Sequence, residues 1–200
     1  YGFLAKNNKV NETIWIHGAS VGEILSIIPI ISKFEKEKKI KRILITSSTT
    51  SSSHILSKFK FKKAVHQFYP FDLNFITKNF INHWKPKLAI FIESEIWPNM
   101  FNNLNKKNIP IILLNARITK KSFNRWKFFP NFSKKIFEKI TLALPQNVES
   151  KKYLKLLGTK KIKLAGNLKF FGGSQKNNVN LILKKKFSKK VIFCAASTHR

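Results

Sequence analysis

Four carboxylates that follow directly on apolar or aromatic segments are the side chains best placed to do chemistry. The chain of 200 residues has nine acidic residues in all, so the position of each one is informative. The four are Glu23, Asp72, Glu93 and Glu95. A carboxylate in such a position can act as a general base or stabilise the start of a helix. The local sequence leaves both roles open for Glu23, whereas Asp72 is predicted to cap a helix over residues 73–84.

The elements that position these carboxylates alternate along the chain between short apolar runs and amphipathic stretches. The apolar runs predict strands at residues 13–17, 42–46, 65–68, 87–92, 111–115, 141–144, 162–165 and 191–195. The helical spacing of apolar residues predicts helices at residues 24–34, 73–84, 100–107, 132–139 and 148–157. Strands that alternate with helices in this way indicate an α/β fold with a Rossmann-like parallel sheet.

Two of the carboxylates come soon after predicted strands, and we expect them to face one crevice, because ligands of parallel sheets gather outside the carboxyl ends of the strands. Glu23 follows the first strand across a loop with two glycines, and Glu93 follows the strand at residues 87–92. Glu93 and Glu95 would point to opposite sides of an extended chain. We therefore expect at most one of them to share the crevice with Glu23, and the other to pair with a lysine.

The other candidate sites carry weaker signals. His17 and His54 have no partners at metal-ligand spacing and Cys194 is the only cysteine, so neither a metal site nor a cofactor is predicted. The glycines after the first strand match neither the dinucleotide fingerprint nor the P-loop. The serine-threonine run at residues 46–53 fits a phosphate-binding helix start and a flexible polar loop equally well.

A formal net charge of +30 makes the chain strongly basic. Only four of its 39 basic residues are arginines, and the lysines are spread along the whole chain. Such a distribution is typical of a solvated surface, but it also favours nucleic acid, anionic lipid or phosphorylated substrates as partners. Residues 118–139 interleave basic residues with phenylalanines and a tryptophan, a mixture that suits a membrane interface as well as nucleic acid.

Composition divides the chain into three parts. Residues 1–170 are predicted to form the Rossmann-like domain. Residues 171–189 begin with two glycines and a serine and are rich in polar side chains, which indicates an exposed linker. Residues 190–200 are predicted to be the first strand of a second, C-terminal domain. No apolar stretch reaches the roughly 20 residues that a membrane span needs, and no signal peptide is visible.

Six motifs occur in order along the chain, and together they resemble one family. They are IHGASVGE at 16–23, YPFD at 69–72, ESEIWPN at 93–99, NARIT at 115–119, GNLKF at 166–170 and STH at 197–199. Each motif by itself is a weak signal. In combination, over residues 14–199, they are similar to the 3-deoxy-D-manno-octulosonic acid (Kdo) transferases of lipopolysaccharide synthesis.

The resemblance implies the N-terminal half of a GT-B glycosyltransferase, a fold in which two Rossmann-like domains face each other across a cleft. Members of the family transfer Kdo from CMP-Kdo to a lipid A precursor, with inversion at the anomeric carbon and without a metal. By the motif match, Glu23 is the general base, and Glu93 and Lys169 stabilise the transition state. Positions that match substrate-binding residues are Ser20, Arg117, Ser197, Thr198 and His199.

The resemblance also implies partners and a location. CMP-Kdo, a lipid A precursor and an anionic membrane surface are expected at the cytoplasmic face of the bacterial inner membrane, and nucleic acid is not. The family's C-terminal domain holds most of the donor nucleotide, so residues 1–200 alone are expected to be inactive. The alternatives are another GT-B glycosyltransferase and a non-enzymatic basic module that binds nucleic acid. A nucleic-acid face would not place Glu23, Glu93 and Glu95 at strand ends.

Overall fold

Six of the predicted strands are present, and they form one parallel sheet. The computed structural model describes residues 13–168, so the predicted strand at 191–195 lies outside the described residues. The sheet has the order β3-β2-β1-β4-β5-β6. All five neighbouring pairs are parallel, which confirms the predicted Rossmann-like α/β fold. The strands are β1 Thr13–His17, β2 Arg42–Ser47, β3 Ala64–Phe68, β4 Pro86–Ile92, β5 Ile111–Ala116 and β6 Leu142–Pro145.

The described part of the chain has seven helices, of which six lie between these strands and the last follows β6. Five of them match the predicted helices to within a few residues, and α2 and α5 were not predicted. The helix α2 begins within the serine-threonine run, and the Thr49 hydroxyl caps it by accepting a hydrogen bond from the Ser52 amide. The interpretation of this run as a flexible loop is therefore wrong. The helices are α1 Val21–Lys36, α2 Thr50–Ser57, α3 Asn74–Trp84, α4 Pro98–Lys106, α5 Lys120–Lys127, α6 Pro130–Phe137 and α7 Val148–Leu156.

Alternate side chains of the central strands feed two separate hydrophobic clusters, because successive residues of a strand point to opposite faces. On one face, Ile16 and Ile90 lie in a cluster with the buried isoleucines of α1. On the other face, Trp15 and Phe91 lie in a larger cluster to which α3, α4, α6 and α7 contribute. Burial on both faces explains why the central strands are almost uninterruptedly apolar.

The predicted strand at residues 162–165 is wrong as a full strand. Its only assigned pairing is an isolated bridge between Ala143 and Ile162, although the Lys163 and Ala165 amides donate to the neighbouring strand β6. Its neighbour is four residues long, and Gly166 turns the chain away with a φ of 81°. A glycine adopts this left-handed conformation without steric cost, so the pairing ends there.

The strand order places the two predicted site loops side by side. β1 and β4 are neighbours in the middle of the sheet, and the connections that follow them lead to opposite faces, to α1 and to α4. Crevices form at such a reversal, outside the carboxyl ends of the strands. Glu23 follows β1 and Glu93 follows β4, so both lie at this reversal. No helix among residues 13–168 is long and apolar enough to cross a membrane.

Candidate active site

The loop between β1 and α1 is held tightly against its neighbours. The Gly18 amide donates to the Thr46 carbonyl at 3.1 Å, and the Ser48 amide donates to the Ala19 carbonyl at 3.3 Å. A Cβ atom on Gly18 would lie 3.3 Å from the Glu23 Cβ and 3.4 Å from the Ile24 Cδ1. The contact with Glu23 is tight, so a side chain at position 18 would press on the Glu23 Cβ, and glycine relieves that pressure where the loop meets the first turn of α1.

Glu23 lies in the first turn of α1, and both of its carboxylate oxygens accept hydrogen bonds. The Ala19 amide donates to Oε2 at 2.8 Å and the Ser20 hydroxyl donates to Oε1 at 3.0 Å. Ser20 is also the N-cap of the helix, because its hydroxyl accepts from the Glu23 amide at 3.3 Å. The arrangement resembles a capping box. The helix-start role is therefore confirmed, and it leaves the carboxylate half-buried and fixed in direction.

The environment of Glu23 favours its protonated form. Burial raises the pKa of its carboxyl, hydrogen bonds from Ala19 and Ser20 lower it, and the negative charges of Glu95 and Glu93 raise it further, with a net upward shift. A carboxylate whose pKa lies above its ordinary value is a better proton acceptor near neutral pH. The geometry is thus compatible with a base that takes a proton from a hydroxyl.

Glu93 does not continue β4 as an extended residue. Its φ of 55° is left-handed, and a turn follows at Ser94. The Glu93 amide donates to the Leu114 carbonyl at 3.0 Å, and its own carbonyl accepts from the Arg117 amide at 3.2 Å. A non-glycine residue in this conformation is uncommon and is retained where the surroundings hold it. The side chain is 8% exposed, at the carboxyl edge of the sheet.

The expected alternation of Glu93 and Glu95 is wrong, because the turn breaks the extended geometry on which it rested. The charges of both residues act on Glu23, so both belong to the same acidic cluster. The partner of Glu95 is not a lysine. Its Oε2 lies 3.1 Å from His17 Nε2 and accepts a hydrogen bond from Trp97 Nε1 at 2.9 Å.

His17 is fully buried at the end of β1 and connects the acidic cluster to the neighbouring strand. Its Nδ1 lies 2.9 Å from the Thr46 hydroxyl, which also accepts a hydrogen bond from Trp15 Nε1 at 2.9 Å. A chain of polar contacts therefore runs from Trp15 through Thr46 and His17 to Glu95. In the part of the chain that the structure describes, no group of three or more His, Cys, Asp or Glu side chains is placed to hold a metal ion.

Tyr69 covers this network from the side. Its ring centre lies 4.0 Å from that of His17 and 4.9 Å from that of Trp97. Burial raises the pKa of the Tyr69 hydroxyl well above 10, and the charges of Asp72 and Glu95 add to the effect. The phenol therefore stays neutral at physiological pH. Tyr69 serves as an aromatic wall beside the acids and not as a charged group.

Asp72 caps a different helix from the predicted one. The start of α3 has no side-chain cap, and the Asp72 carboxylate instead accepts from the Asn99 amide at 3.0 Å and the Met100 amide at 2.8 Å. These amides belong to the first turn of α4, whose own N-cap residue Trp97 makes no side-chain cap. The prediction was wrong because the chain passes α4 at this point, a contact that local sequence does not reveal.

A cavity of about 370 Å³ opens on the other side of Glu93. Two helices begin at its wall, α5 after the cap residue Thr119 and α7 after the cap residue Asn147. The amides of helix starts favour negatively charged groups, and the guanidinium of Arg117 adds a fixed positive charge. The cavity is lined by Glu93, Arg117, Ile118, Thr119, Lys120, Gln146, Asn147, Glu149, Ser150 and Asn167.

The structure thus brings together four of the predicted site residues at one edge of the sheet. Glu23 and Ser20 lie on the α1 side, Arg117 lies at the cavity, and Glu93 lies between them. The remaining four predicted site residues lie outside the described residues, as do the predicted linker at 171–189 and the strand at 190–200, so these stay predictions. Those four residues are Lys169, Ser197, Thr198 and His199.

Sequence reasoning missed the polar network behind the acids. His17, Glu95 and Trp97 carry it, and the signals in the sequence are a histidine at the end of an apolar strand and a glutamate shortly after the end of another. A second missed contact joins two of the sequence motifs, since the Leu168 amide donates to Asn115 Oδ1 at 3.1 Å. Asn115 has a left-handed φ of 53° at the end of β5. This contact holds the end of the described chain at the same edge of the sheet.

Known proteins resemble this chain over nearly its whole length. Residues 1–171 match the family described as 3-Deoxy-D-manno-octulosonic-acid transferase (kdotransferase). A 3-deoxy-D-manno-octulosonic acid transferase of Rickettsia bellii is 37% identical over 201 residues, which cover 98% of this chain and 47% of the relative. A protein of the same name from Haemophilus influenzae is 31% identical over 209 residues, 100% of this chain and 48% of the relative.

Solved structures show the same fold at low sequence identity. The UDP-GlcNAc 2-epimerase of Neisseria meningitidis bound to UDP-GlcNAc is 14% identical with a TM-score of 0.60, covering 88% of this chain and 54% of that one. The Staphylococcus aureus MnaA structure with UDP is 15% identical with a TM-score of 0.59, covering 87% and 51%. At this identity the likeness establishes the fold alone.

The fold and the site define a Rossmann-like half of a GT-B protein whose acidic crevice lies at the carboxyl edge of the sheet. The family match over residues 1–171 is more specific. The chain belongs to the Kdo transferase family. It spans about half the length of the relatives that it matches.

Proposed function

We propose that this chain forms the acceptor side of a glycosyltransferase that moves Kdo from CMP-Kdo to a lipid A precursor. The observation that carries the proposal is the half-buried Glu23 carboxylate, whose direction is fixed by Ala19 and Ser20 and whose pKa is raised. Family membership supports the reaction class. The position at the strand reversal between β1 and β4 supports a ligand crevice there.

In the proposed reaction, Glu23 accepts the proton of the acceptor hydroxyl as that oxygen attacks the anomeric carbon of Kdo. The new carbon–oxygen bond forms on the face opposite the departing CMP, and the bond between the anomeric carbon and the phosphate oxygen breaks. The proton ends on Glu23, the electron pair leaves with CMP, and the configuration at the anomeric carbon is inverted. The reaction as proposed needs neither a cofactor nor a metal.

The other matched residues take supporting parts in the proposal. Glu93 and, by its motif, Lys169 would stabilise the charges that develop in the transition state. Arg117 lines the cavity beside Glu93, where its positive charge suits an anionic group of a substrate. Ser20 orients the base. By their motif, Ser197, Thr198 and His199 would belong to the donor nucleotide site.

We also propose that the enzyme is located at the cytoplasmic face of the bacterial inner membrane, against an anionic lipid surface. A lipid A precursor is a membrane molecule, so the enzyme must meet it at a bilayer. The net charge of +30 supports attraction to anionic lipid. In inverted membrane vesicles the protein should therefore be digested by added protease. Protection from the protease in such vesicles would place the protein on the periplasmic face.

Two other functions remain as alternatives with less support. Another GT-B glycosyltransferase would use the same crevice with a different nucleotide sugar. An assay in which CMP-Kdo is replaced by other nucleotide sugars distinguishes it from a Kdo transferase. The alternative of a basic module that binds nucleic acid is supported by the net charge alone. The cluster of Glu23, Glu93 and Glu95 argues against it, because three carboxylates at one edge repel a phosphate backbone.

The direct test compares Glu23→Gln with the unchanged full-length protein, supplied with CMP-Kdo and a lipid A precursor. The amide of glutamine keeps an oxygen for the Ala19 hydrogen bond but does not accept a proton, so kcat should fall by about 10²–10⁴-fold. Glu37→Gln, at the exposed far end of the same helix, is the matched control and should retain full activity. A Glu23→Gln enzyme within a few-fold of wild type would remove Glu23 from the mechanism.

A further inference from the structure

The helices α5 and α6 form a hairpin, residues 120–137, that presents large aromatic side chains to solvent. Phe128 and Phe129 in its turn are 79% and 62% exposed, and Phe132 at the start of α6 is 48% exposed. No residue of α5 is buried. Clustered exposed aromatics of this kind are unfavourable in water, and they mark surfaces that meet another apolar phase.

The exposure is not the result of a loose turn. The Ser133 hydroxyl bonds to the Trp126 carbonyl and, at 2.9 Å, to the Phe129 carbonyl. The Trp126 ring stacks on that of Phe132 and makes an edge contact with the buried Phe137 at 5.2 Å between ring centres. These contacts tie the two helices together below the tip. The exposed phenylalanines are therefore held in position by packing and hydrogen bonds between the two helices.

The charges on the hairpin are all of one sign. Six basic side chains lie within residues 120–137, all of them exposed, and no acidic residue lies in that range. Aromatic tips surrounded by basic side chains match the interface of a bilayer, where rings enter the headgroup region and cations meet anionic lipid. The six are Lys120, Lys121, Arg125, Lys127, Lys134 and Lys135.

We propose that the α5–α6 hairpin is a membrane-docking element that inserts Phe128 and Phe129 into the interface of an anionic bilayer. The helix α5 begins three residues after Arg117, so docking by its far end brings the cavity beside Glu93 close to the lipid surface. The inference deepens the proposed function, since it gives a lipid acceptor a short path to the crevice. It rests on the exposed surface itself and not on the identity of the transferred sugar.

The test uses the full-length protein with a nitroxide spin label on a single introduced cysteine, in a background where every native cysteine, Cys194 included, is replaced by serine. Asn131→Cys places the label on the hairpin between Phe129 and Phe132 and keeps every phenylalanine. Asn82→Cys places it on the exposed face of α3 as the control site. The measurement is the collision rate with a water-soluble nickel reagent, before and after addition of vesicles of phosphatidylglycerol and phosphatidylcholine. This reports contact of the hairpin itself, whatever else attaches the protein to the vesicle.

We expect anionic vesicles to lower the nickel collision rate at position 131 several-fold and to leave position 82 unchanged. Phe128→Ser with Phe129→Ser should return position 131 to its solvent value. The matched pair Phe71→Ser with Phe75→Ser, 81% and 65% exposed in the wild-type structure, should not. Circular dichroism checks that both double variants remain folded, as expected for exposed positions.

Three outcomes would overturn the proposal. The first is an unchanged nickel collision rate at position 131 when anionic vesicles are added. The second is an equal effect of the two double substitutions on that rate. The third is protection of position 131 by a single-stranded oligonucleotide in place of vesicles, which would assign the surface to nucleic acid. None of these measurements requires sugar transfer. A protein that docks but transfers another sugar would leave this inference standing and refute the proposed donor.

Discussion

Asp72 offers the sharpest test of how the site is supported, because one carboxylate caps a helix that lies 27 positions further along the chain. Its two oxygens accept from the Asn99 amide at 3.0 Å and the Met100 amide at 2.8 Å, and the Asn99 side chain returns a hydrogen bond to the Asp72 carbonyl at 2.6 Å. This clamp fixes the loop that carries Tyr69 against the start of α4. The perturbation is Asp72→Ala.

The magnitude follows from what is lost. A helix cap contributes about 0.5–2 kcal/mol, and a hydrogen bond to a charged group contributes about 1.5–3 kcal/mol. Asp72 is only half-buried, so the lower part of each range applies, and two bonds are removed. We expect the first turn of α4 to lose about 2 kcal/mol. Asp72→Asn keeps one acceptor oxygen but turns an amide group toward the second N–H, and should lose about half as much.

The assay is hydrogen exchange, because a local readout avoids treating a protein of more than one domain as a two-state unit. A loss of about 2 kcal/mol corresponds to exchange that is roughly 30-fold faster at the Asn99 and Met100 amides. Glu149→Gln is the control, since that carboxylate is exposed in the first turn of α7, where it accepts a hydrogen bond from the Tyr153 hydroxyl at 3.0 Å. If both amides in Asp72→Ala exchange within threefold of wild type, the remote cap does not stabilise α4.

Two further predictions concern the acids and the glycines. Glu95→Gln removes a negative charge that raises the pKa of Glu23, so the pKa of the base falls and the acidic limb of the pH–rate profile moves to lower pH; an unmoved limb would mean that Glu95 does not act on the base. Gly158→Ala should destabilise the protein by about 1–3 kcal/mol, because its φ is 111° and a Cβ would lie 3.1 Å from Lys134 Cγ. Gly22→Ala, at the second residue of α1, is the matched control, since a Cβ there meets nothing within 4 Å; thermal unfolding should show no loss, and any gain should stay below the roughly 0.5–1 kcal/mol that glycine costs in the middle of a helix. Equal losses in the two alanine variants would contradict the steric argument.

The fold was largely predictable from local patterns. Runs such as the one over residues 87–92 have the uniform apolarity of strands that are buried on both faces, and the structure places β4 in the middle of the sheet. The helix α5 escaped prediction because none of its residues is buried, so its sequence carries no apolar stripe of normal width. The strand at 162–165 was predicted from composition, which does not report that its neighbour ends after four residues.

The site was only partly predictable, for a related reason. Placing Glu23 and Glu93 at strand ends required no tertiary information beyond the rule that parallel strands end at one edge. The direction of Glu95 required the left-handed turn at Glu93, which an extended-chain argument misses. Its pairing with His17 required β1 and β4 to be neighbours in the sheet, although β1 ends at His17 and β4 begins only at Pro86.

The sequence by itself determined the family, the α/β class and the identity of the acids at the crevice, because motifs, apolar periods and charge counts are local properties of the chain. Only the tertiary structure decided which acids meet, which helix Asp72 caps and which phenylalanines face solvent. Those outcomes depend on strand order and on turns at single residues, such as the one at Glu93. They join positions that are far apart in the chain, and for that reason local chemistry does not specify them.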